Sequence, residues 1–156
     1  MQGNELLEYL AIFPSFQKHF KGLFSIDNLP KSLGYRKFLI SNTDVQEGDG
    51  KHWISFFQTN NNFIEVFDSL GIDNNKKTLL SKYCNFRQKQ LVFNTTAFQD
   101  SSTSTCGHFV LYFCIERLFN LDLNFKDFLE LIFEENVSKN EQLVAEFCSE
   151  IKTNEV

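Results

Sequence analysis

The segment from Cys106 to Asn120, CGHFVLYFCIERLFN, constrains the fold more than any other part of the chain. Its apolar residues are spread around almost the whole circumference of a helix, which is the pattern of a helix buried on all sides. Such a helix has to lie at the centre of the molecule, with other elements packed around it. A chain of 156 residues, 42% of them hydrophobic, can bury it within one domain, which we assign to residues 1–156.

The segments on either side of this helix predict an α+β protein, with a central, mostly antiparallel or mixed β-sheet packed on the buried helix. Asn4 and Asn124 are predicted N-caps, and Ser138 with Glu141 forms a capping-box pattern. The aromatic-rich stretch 13–25 is interpreted as irregular. Helices are predicted at residues 4–12, 76–86, 106–120, 125–135 and 138–152, strands at 35–41, 52–57, 63–67 and 90–94, and a turn at 48–50.

The overall charge argues against nucleic acids and membranes as partners. The net charge is −5 and the pI about 5.2, so the chain has no general attraction to DNA, RNA or anionic lipid. Lys76 and Lys77 are interpreted as solvated side chains beside a turn. The longest apolar run, Phe109–Ile115, is too short to cross a bilayer. Glu5 and Glu8 stand where a signal peptide carries basic residues, so secretion is not expected.

The four cysteines are expected to be reduced thiols. They stand at positions 84, 106, 114 and 148 and show neither a CxxC pair nor a regular spacing. Cys114 and Cys148 fall inside helix patterns and are interpreted as buried core residues. Cys84 lies near a predicted helix end, and its role stays open.

Two predicted strands bring a histidine opposite an aspartate. With residues 58–62 as the loop of a hairpin, antiparallel pairing places His52 opposite Asp68. Directly opposed residues point to the same face, with Cβ atoms about 5 Å apart. The carboxylate could then accept a hydrogen bond from the imidazole and stabilise its charged form. The alternative is a surface histidine and a turn-forming aspartate, and a register error of one residue would put them on opposite faces.

Cys106 lies where the polar loop at residues 95–105 meets the buried helix. If Thr105 caps that helix, the thiol stands in the first turn, where unpaired N–H groups and the helix dipole favour the thiolate. Gly107 leaves open backbone beside the sulfur for a substrate. The N–H of Cys106 and the side-chain amide of Gln99 are candidate donors to an oxyanion. The alternative is a small buried residue that happens to begin a helix.

The order of these residues resembles that of the adenovirus-type maturation proteases (adenain), whose wider clan includes the SUMO-specific proteases. The resemblance rests on His52-Trp53 opening a strand, Asp68 ending the next one, Gln99, and the sequence STCG before an apolar helix. The segment AIFPSFQKHFKGLFS is similar to the family's aromatic amino-terminal segment. The match covers roughly residues 11–118, and the small size resembles the proteases of virophages and Polinton-type elements.

The resemblance implies a papain-like or adenain-like cysteine protease fold with a Cys-His-Asp triad. Cys106 matches the nucleophile, His52 the general base, Asp68 the third member and Gln99 the oxyanion-hole amide. Trp53 matches an aromatic residue beside the active site, where Gly107 would also meet substrate. The implied function is a viral cysteine endopeptidase that processes capsid or other virion precursors through a thioester acyl-enzyme, as a monomer, in virions and viral factories.

The resemblance leaves the activating cofactors open. The adenovirus enzyme uses DNA and a disulfide-linked viral peptide, but the acidic charge of this chain argues against DNA activation. Cys84 falls in the region of the peptide-bonding cysteine, but its surroundings do not align. No cofactor and no metal are therefore assigned, and an activating peptide stays unproven.

Several other readings of the same residues remain. One is a protease that removes SUMO or ubiquitin-like proteins, or an acetyltransferase with the same triad. Another is a catalytically inactive binding module on this fold. A zinc site from Cys106, His108 and a distant cysteine lacks the usual ligand spacing. His108 as the base is disfavoured because a helix residue two positions on points away from its neighbour.

Overall fold

The computed structural model describes residues 1–43 and 52–153, so the predicted turn at residues 48–50 lies outside them. In this part of the chain six helices and a five-stranded mixed sheet confirm the predicted α+β class. The helices are α1 (Gly3–Ala11), α2 (Pro14–Gln17), α3 (Asn74–Tyr83), α4 (Cys106–Phe119), α5 (Phe125–Ile132) and α6 (Val137–Thr153). The strands are β1 (Phe20–Ser25), β2 (Lys37–Asn42), β3 (Trp53–Gln58), β4 (Phe63–Phe67) and β5 (Gln90–Phe93).

The sheet has the order β1-β2-β3-β4-β5. Its three central strands form an antiparallel meander, while β1 runs parallel to β2 and β5 runs parallel to β4. The interpretation of residues 13–25 as irregular is wrong, because they hold α2 and β1. The register of β1 shifts between Phe20 and Leu23, and Gly22 has a φ of +136°. This irregularity removes the two-residue alternation by which a strand is recognised in a sequence.

The two faces of the sheet are both apolar, and each is covered by helices. Along β3, Trp53 and Phe57 belong to the core shared with α4, while Ile54 and Phe56 belong to the core beneath α3. This alternation is the two-residue period of a strand. The prediction that α4 lies at the centre is confirmed, since its apolar side chains are almost all buried and Phe113 stacks on Phe67 of β4 with ring centroids 4.4 Å apart.

The helix caps follow the predictions in part. Asn124 caps α5 as expected, since its side-chain oxygen accepts the N–H of Asp127 at 2.8 Å. The first helix begins at Gly3, before the predicted Asn4 cap. None of the helices within residues 1–43 and 52–153 combines the length and the apolar composition that crossing a bilayer requires.

The predicted capping box of α6 is wrong. The helix begins at Val137, and the Asn136 side chain, rather than that of Ser138, accepts backbone N–H groups of the first turn. Glu141 is therefore not used within its own helix. Its carboxylate contacts the loop that precedes α4.

Candidate active site

His52 and Asp68 contact each other at one end of the central hairpin, with His52 Nε2 2.7 Å from Asp68 Oδ1. His52 precedes β3 and Asp68 follows β4. In the observed register Ser55 pairs with Phe67, which shifts the pairing by two residues from the predicted one. The two side chains still reach each other, because a shift of two residues, unlike a shift of one, keeps them on the same face.

The register differs because β3 runs one residue further towards the turn than the sequence predicts, and the pairing of Phe57 with Glu65 centres the turn on residue 61 rather than 60. Gln58, which was assigned to the loop, pairs with Lys37 of β2 and ends the strand. Its side-chain oxygen also accepts the N–H of Gly34 at 3.2 Å, which holds it against the neighbouring segment. The polar side chain of Gln58 therefore gave a misleading turn signal.

Hydrogen bonds to both carboxylate oxygens and to the backbone fix the position of Asp68. Besides His52, its Oδ1 accepts the N–H of Leu70 at 2.9 Å, and its Oδ2 lies 2.9 Å from Lys76 Nζ. Its backbone forms a reciprocal pair with the side-chain amide of Asn94, with distances of 2.9 and 2.7 Å. Burial raises the pKa of this carboxyl, but the hydrogen bond and charge of His52 and the charge of Lys76 outweigh it and lower the pKa. Asp68 is therefore an ionised, immobile partner for the imidazole.

Lys76 and Asn94 are site residues that sequence reasoning missed. The interpretation of Lys76 as a solvated lysine is wrong, because its ammonium donates to Asp68 and to the Gly71 carbonyl. One signal for Lys76 was available in Asp73, whose side chain caps α3 by accepting the Lys76 N–H. A cap at Asp73 places Lys76 in the first turn of the helix, next to the segment that contains Asp68. Asn94, at the end of β5, carried no comparable signal.

Cys106 is the first residue of α4, as predicted, and its thiol lies close enough to His52 for each group to shift the pKa of the other. Because His52 Nε2 is used by Asp68, Nδ1 is the ring nitrogen left for the sulfur. Burial raises the pKa of Cys106, but the hydrogen bond from His52, the backbone N–H groups of Trp53 and Gly107 and the charge of the imidazolium together lower it. The site thus favours a thiolate.

The imidazole of His52 is correspondingly basic. Burial alone would lower its pKa, but the hydrogen bonds to Asp68 and Cys106 and the negative charges of both raise it from 6.5 to about 9. A depressed thiol pKa beside a raised imidazole pKa favours a thiolate–imidazolium pair. The three residues that the sequence placed in a triad are therefore brought together in space.

Trp53 and Gly107 lie beside the thiol, and the amino-terminal residue covers both. The indole N–H of Trp53 donates to the Met1 carbonyl at 3.0 Å. A Cβ built on Gly107 would stand 2.9 Å from the Met1 Cβ and 3.1 Å from its sulfur. The expectation of open backbone at Gly107 is therefore wrong in this structure, since Met1 fills that space. Cys106 itself is only 7% exposed.

Gln99 is buried in the loop before α4, where other protein groups use its side chain. Its oxygen accepts from the Ser69 hydroxyl at 2.5 Å, and its amide donates to the carbonyl and hydroxyl of Thr103 at 3.1 and 3.2 Å. Gln99 therefore ties the Asp68–Ser69 turn to the loop that leads to Cys106. Its role as an oxyanion donor stays a prediction.

The other cysteines have the opposite character from Cys106. All four are free thiols, and burial raises the pKa of Cys84 and of Cys148 to about 12 and also raises that of Cys114. The pKa of His108 is lowered by burial. Within the described ranges no cluster of three or more His, Cys, Asp or Glu side chains could hold a metal ion.

Comparisons of the chain with protein-family models and with curated protein sequences give no match.

Proposed function

We propose that this protein is a cysteine endopeptidase with Cys106 as nucleophile, His52 as general base and acid, and Asp68 as the residue that orients the imidazole. The observation that supports this most strongly is the series Asp68–His52–Cys106, in which Asp68 and His52 are hydrogen-bonded at 2.7 Å and His52 and Cys106 lie close enough to shift each other's pKa. A thiolate at the start of a helix, paired with an imidazolium that is held by a carboxylate, is the arrangement that nucleophilic acyl transfer requires.

In the first half of the reaction the Cys106 thiolate attacks the carbonyl carbon of the scissile peptide bond. A carbon–sulfur bond forms, and the carbonyl π electrons move to the oxygen. As the carbon–nitrogen bond breaks, the His52 imidazolium gives its proton to the leaving amine. The products are an amine and a thioester on Cys106, with His52 neutral.

In the second half neutral His52 takes a proton from water while the water oxygen attacks the thioester carbon. The carbon–sulfur bond breaks, and the released acid leaves Cys106 and His52 ready for another cycle. The backbone N–H of Cys106, in the first turn of α4, is the first donor that we propose for the oxyanion. The second predicted donor, the Gln99 amide, would have to exchange Thr103 for the substrate oxygen.

The proposed substrate follows from the resemblance of the motif to the adenovirus-type maturation proteases. In that family the enzyme cleaves viral precursor proteins, so we propose a capsid or other virion precursor from the same genome, in the virion or a viral factory. The net charge of −5 makes DNA an unfavourable activator for this chain.

Intact-mass analysis of a recombinant virion precursor, incubated with the wild-type protein and with Cys106→Ala, tests the proposal. We expect discrete cleavage by the wild type and none by Cys106→Ala. Cys84→Ala is the matched control, because it also removes a thiol, one with a raised pKa and no contact to His52. Its cleavage should equal that of the wild type.

The same assay separates the alternatives. Labelling of Cys106 by a ubiquitin-like vinyl sulfone, without cleavage of the precursor, would replace the proposal by a deconjugating protease. A Cys106 thiol that reacts with iodoacetamide no faster than Cys84 would indicate an inactive binding module. Cleavage that persists in Cys106→Ala would exclude Cys106 as the nucleophile.

A further inference from the structure

A cavity of about 280 Å³ opens beside the proposed catalytic residues, on the side of the sheet covered by α3. His52, Asp68 and Lys76 stand on its wall, but neither Cys106 nor Trp53 does. Most of the remaining lining is aliphatic and comes from β3, from the turn after β4 and from α3, including Ile54, Leu70, Ile72, Leu79 and Leu80. Larger cavities of about 450 and 580 Å³ contain none of the three proposed catalytic residues.

The position of this cavity relates it to one half of a peptide substrate. During acyl transfer the acyl part becomes bonded to Cys106, whereas the leaving amine has to lie against His52 to receive its proton. The part of the substrate that follows the broken bond therefore begins beside His52. The wall of this cavity includes His52, whereas Trp53 and Gly107, which lie beside the sulfur, are not part of it.

We propose that this cavity binds the side chain of a residue on the leaving-group side of the scissile bond, one of the first two after it. This inference rests on the proposed function. The volume suits one large side chain, and the aliphatic lining selects an apolar one, such as Leu, Ile, Met or Phe.

The charges around the cavity sharpen this selection. The imidazolium of His52 and the ammonium of Lys76 repel a Lys or Arg side chain placed there. An acidic side chain would have to leave water for an aliphatic wall while competing with Asp68, which is already paired with both cations. A small residue such as Gly would leave the apolar lining unfilled.

Leu79 allows a test without touching the proposed catalytic residues. It lines the cavity from α3, and 39% of its surface is exposed, so Leu79→Trp can fill the space with little risk to the core. Leu131→Trp is the matched control, since Leu131 is 62% exposed on α5 and does not line this cavity. Wild type and both variants are incubated with a proteome-derived peptide library and with the virion precursor, and the new amino termini are sequenced by mass spectrometry.

We expect the wild type and Leu131→Trp to cut before large apolar residues, and Leu79→Trp to lose that preference by roughly ten-fold or more. Cleavage with no preference after the bond, or an identical profile in wild type and Leu79→Trp, overturns this inference and leaves the proposed function standing. Absence of any Cys106-dependent cleavage, in both the library and the precursor, removes the proposed function and this inference with it.

Discussion

The carboxylate of Glu141 accepts a hydrogen bond of 2.7 Å from the hydroxyl of Thr105, the residue immediately before Cys106. The same carboxylate accepts the Thr103 hydroxyl at 2.6 Å and the Asp100 N–H at 3.1 Å. Thr105 was expected to cap α4 with its own side chain, but that side chain donates to α6 instead. The position of the thiol therefore depends on a helix that begins some thirty residues later in the chain.

Replacing Glu141 by Ala should slow peptide cleavage about 100-fold, because a misplacement of about 1 Å at reacting groups costs that much in rate. The reaction of Cys106 with iodoacetamide should fall less, since a small reagent does not need the oxyanion donors. Initial cleavage rates and alkylation rates measure the two effects. Glu146→Ala is the control, as Glu146 lies on the same helix and its hydrogen bond is to Gln142. An unchanged cleavage rate in folded Glu141→Ala would contradict the role given to this contact.

The pH dependence of Cys106 alkylation should reveal the ion pair with His52. In the wild type the reaction should begin below the ordinary thiol pKa, because the pKa of Cys106 is lowered, and the thiolate should still react after the imidazolium deprotonates at about 9. In His52→Ala burial still raises the thiol pKa, while only the backbone N–H groups of Trp53 and Gly107 still lower it. The onset of alkylation should therefore move to higher pH than in the wild type. Identical rate–pH profiles for the two proteins would exclude the pair.

Lys76→Met should raise the pH below which the site loses its reactivity. The pKa of Asp68 is lowered partly by Lys76, so its carboxylate loses its charge only when the pH falls through that lowered value. Without the ammonium the pKa of Asp68 rises. The acid limb of the rate–pH profile, for cleavage or for alkylation, therefore moves to higher pH. Rate–pH profiles check this, with Lys77→Met as the adjacent control. Lys76→Arg should restore part of the shift, and an acid limb that stays in place in Lys76→Met would contradict the prediction.

Those features of the fold that depend on local pattern could be predicted from the sequence. The all-round apolar character of α4 predicted its burial, and the polar, Asn-rich break at residues 58–62 predicted the hairpin of β3 and β4. Residues 20–25 were missed because a bulge and Gly22 interrupt the alternation, and the start of α6 was misjudged because Glu141 serves another element. In the second case a long-range contact overrides the local signal.

In the candidate site, too, the contacts that follow from local pattern could be predicted and the long-range ones could not. The contact between His52 and Asp68 could be predicted because the residues that face each other in a hairpin are found by counting outwards from its turn. An error of two residues in that count still keeps both side chains on one face. Lys76 and Asn94 reach Asp68 through the turn after β4 and through the parallel pairing of β5 with β4. No hairpin count relates these positions. Met1 over Gly107 is a contact between chain segments about a hundred residues apart in sequence, and nothing local indicates it.

A buried ion pair joins α4 to the sheet at the end of the helix away from Cys106. Arg117 donates to both carboxylate oxygens of Glu65 in β4, at 2.9 and 2.8 Å, and both side chains are almost fully buried. Arg117 also donates to the Asn120 carbonyl at 2.7 Å, and the Thr59 hydroxyl donates to Glu65 at 3.0 Å. Each charge is thus compensated by the other and by polar neighbours.

Removing one partner of this pair should cost far more stability than removing both. Glu65→Leu leaves the Arg117 guanidinium buried without its counter-charge, which lowers the free energy of unfolding by about 3–5 kcal/mol. The double variant Glu65→Leu/Arg117→Met removes both charges and should recover most of that loss. Urea unfolding of the two single variants and the double variant gives the cycle. Lys139→Met is the control, because Lys139 and Glu134 form an exposed pair at 3.9 Å whose loss should cost no more than about 1 kcal/mol. A double variant as unstable as the sum of the single ones would show that the two charges do not compensate each other, because independent contributions add.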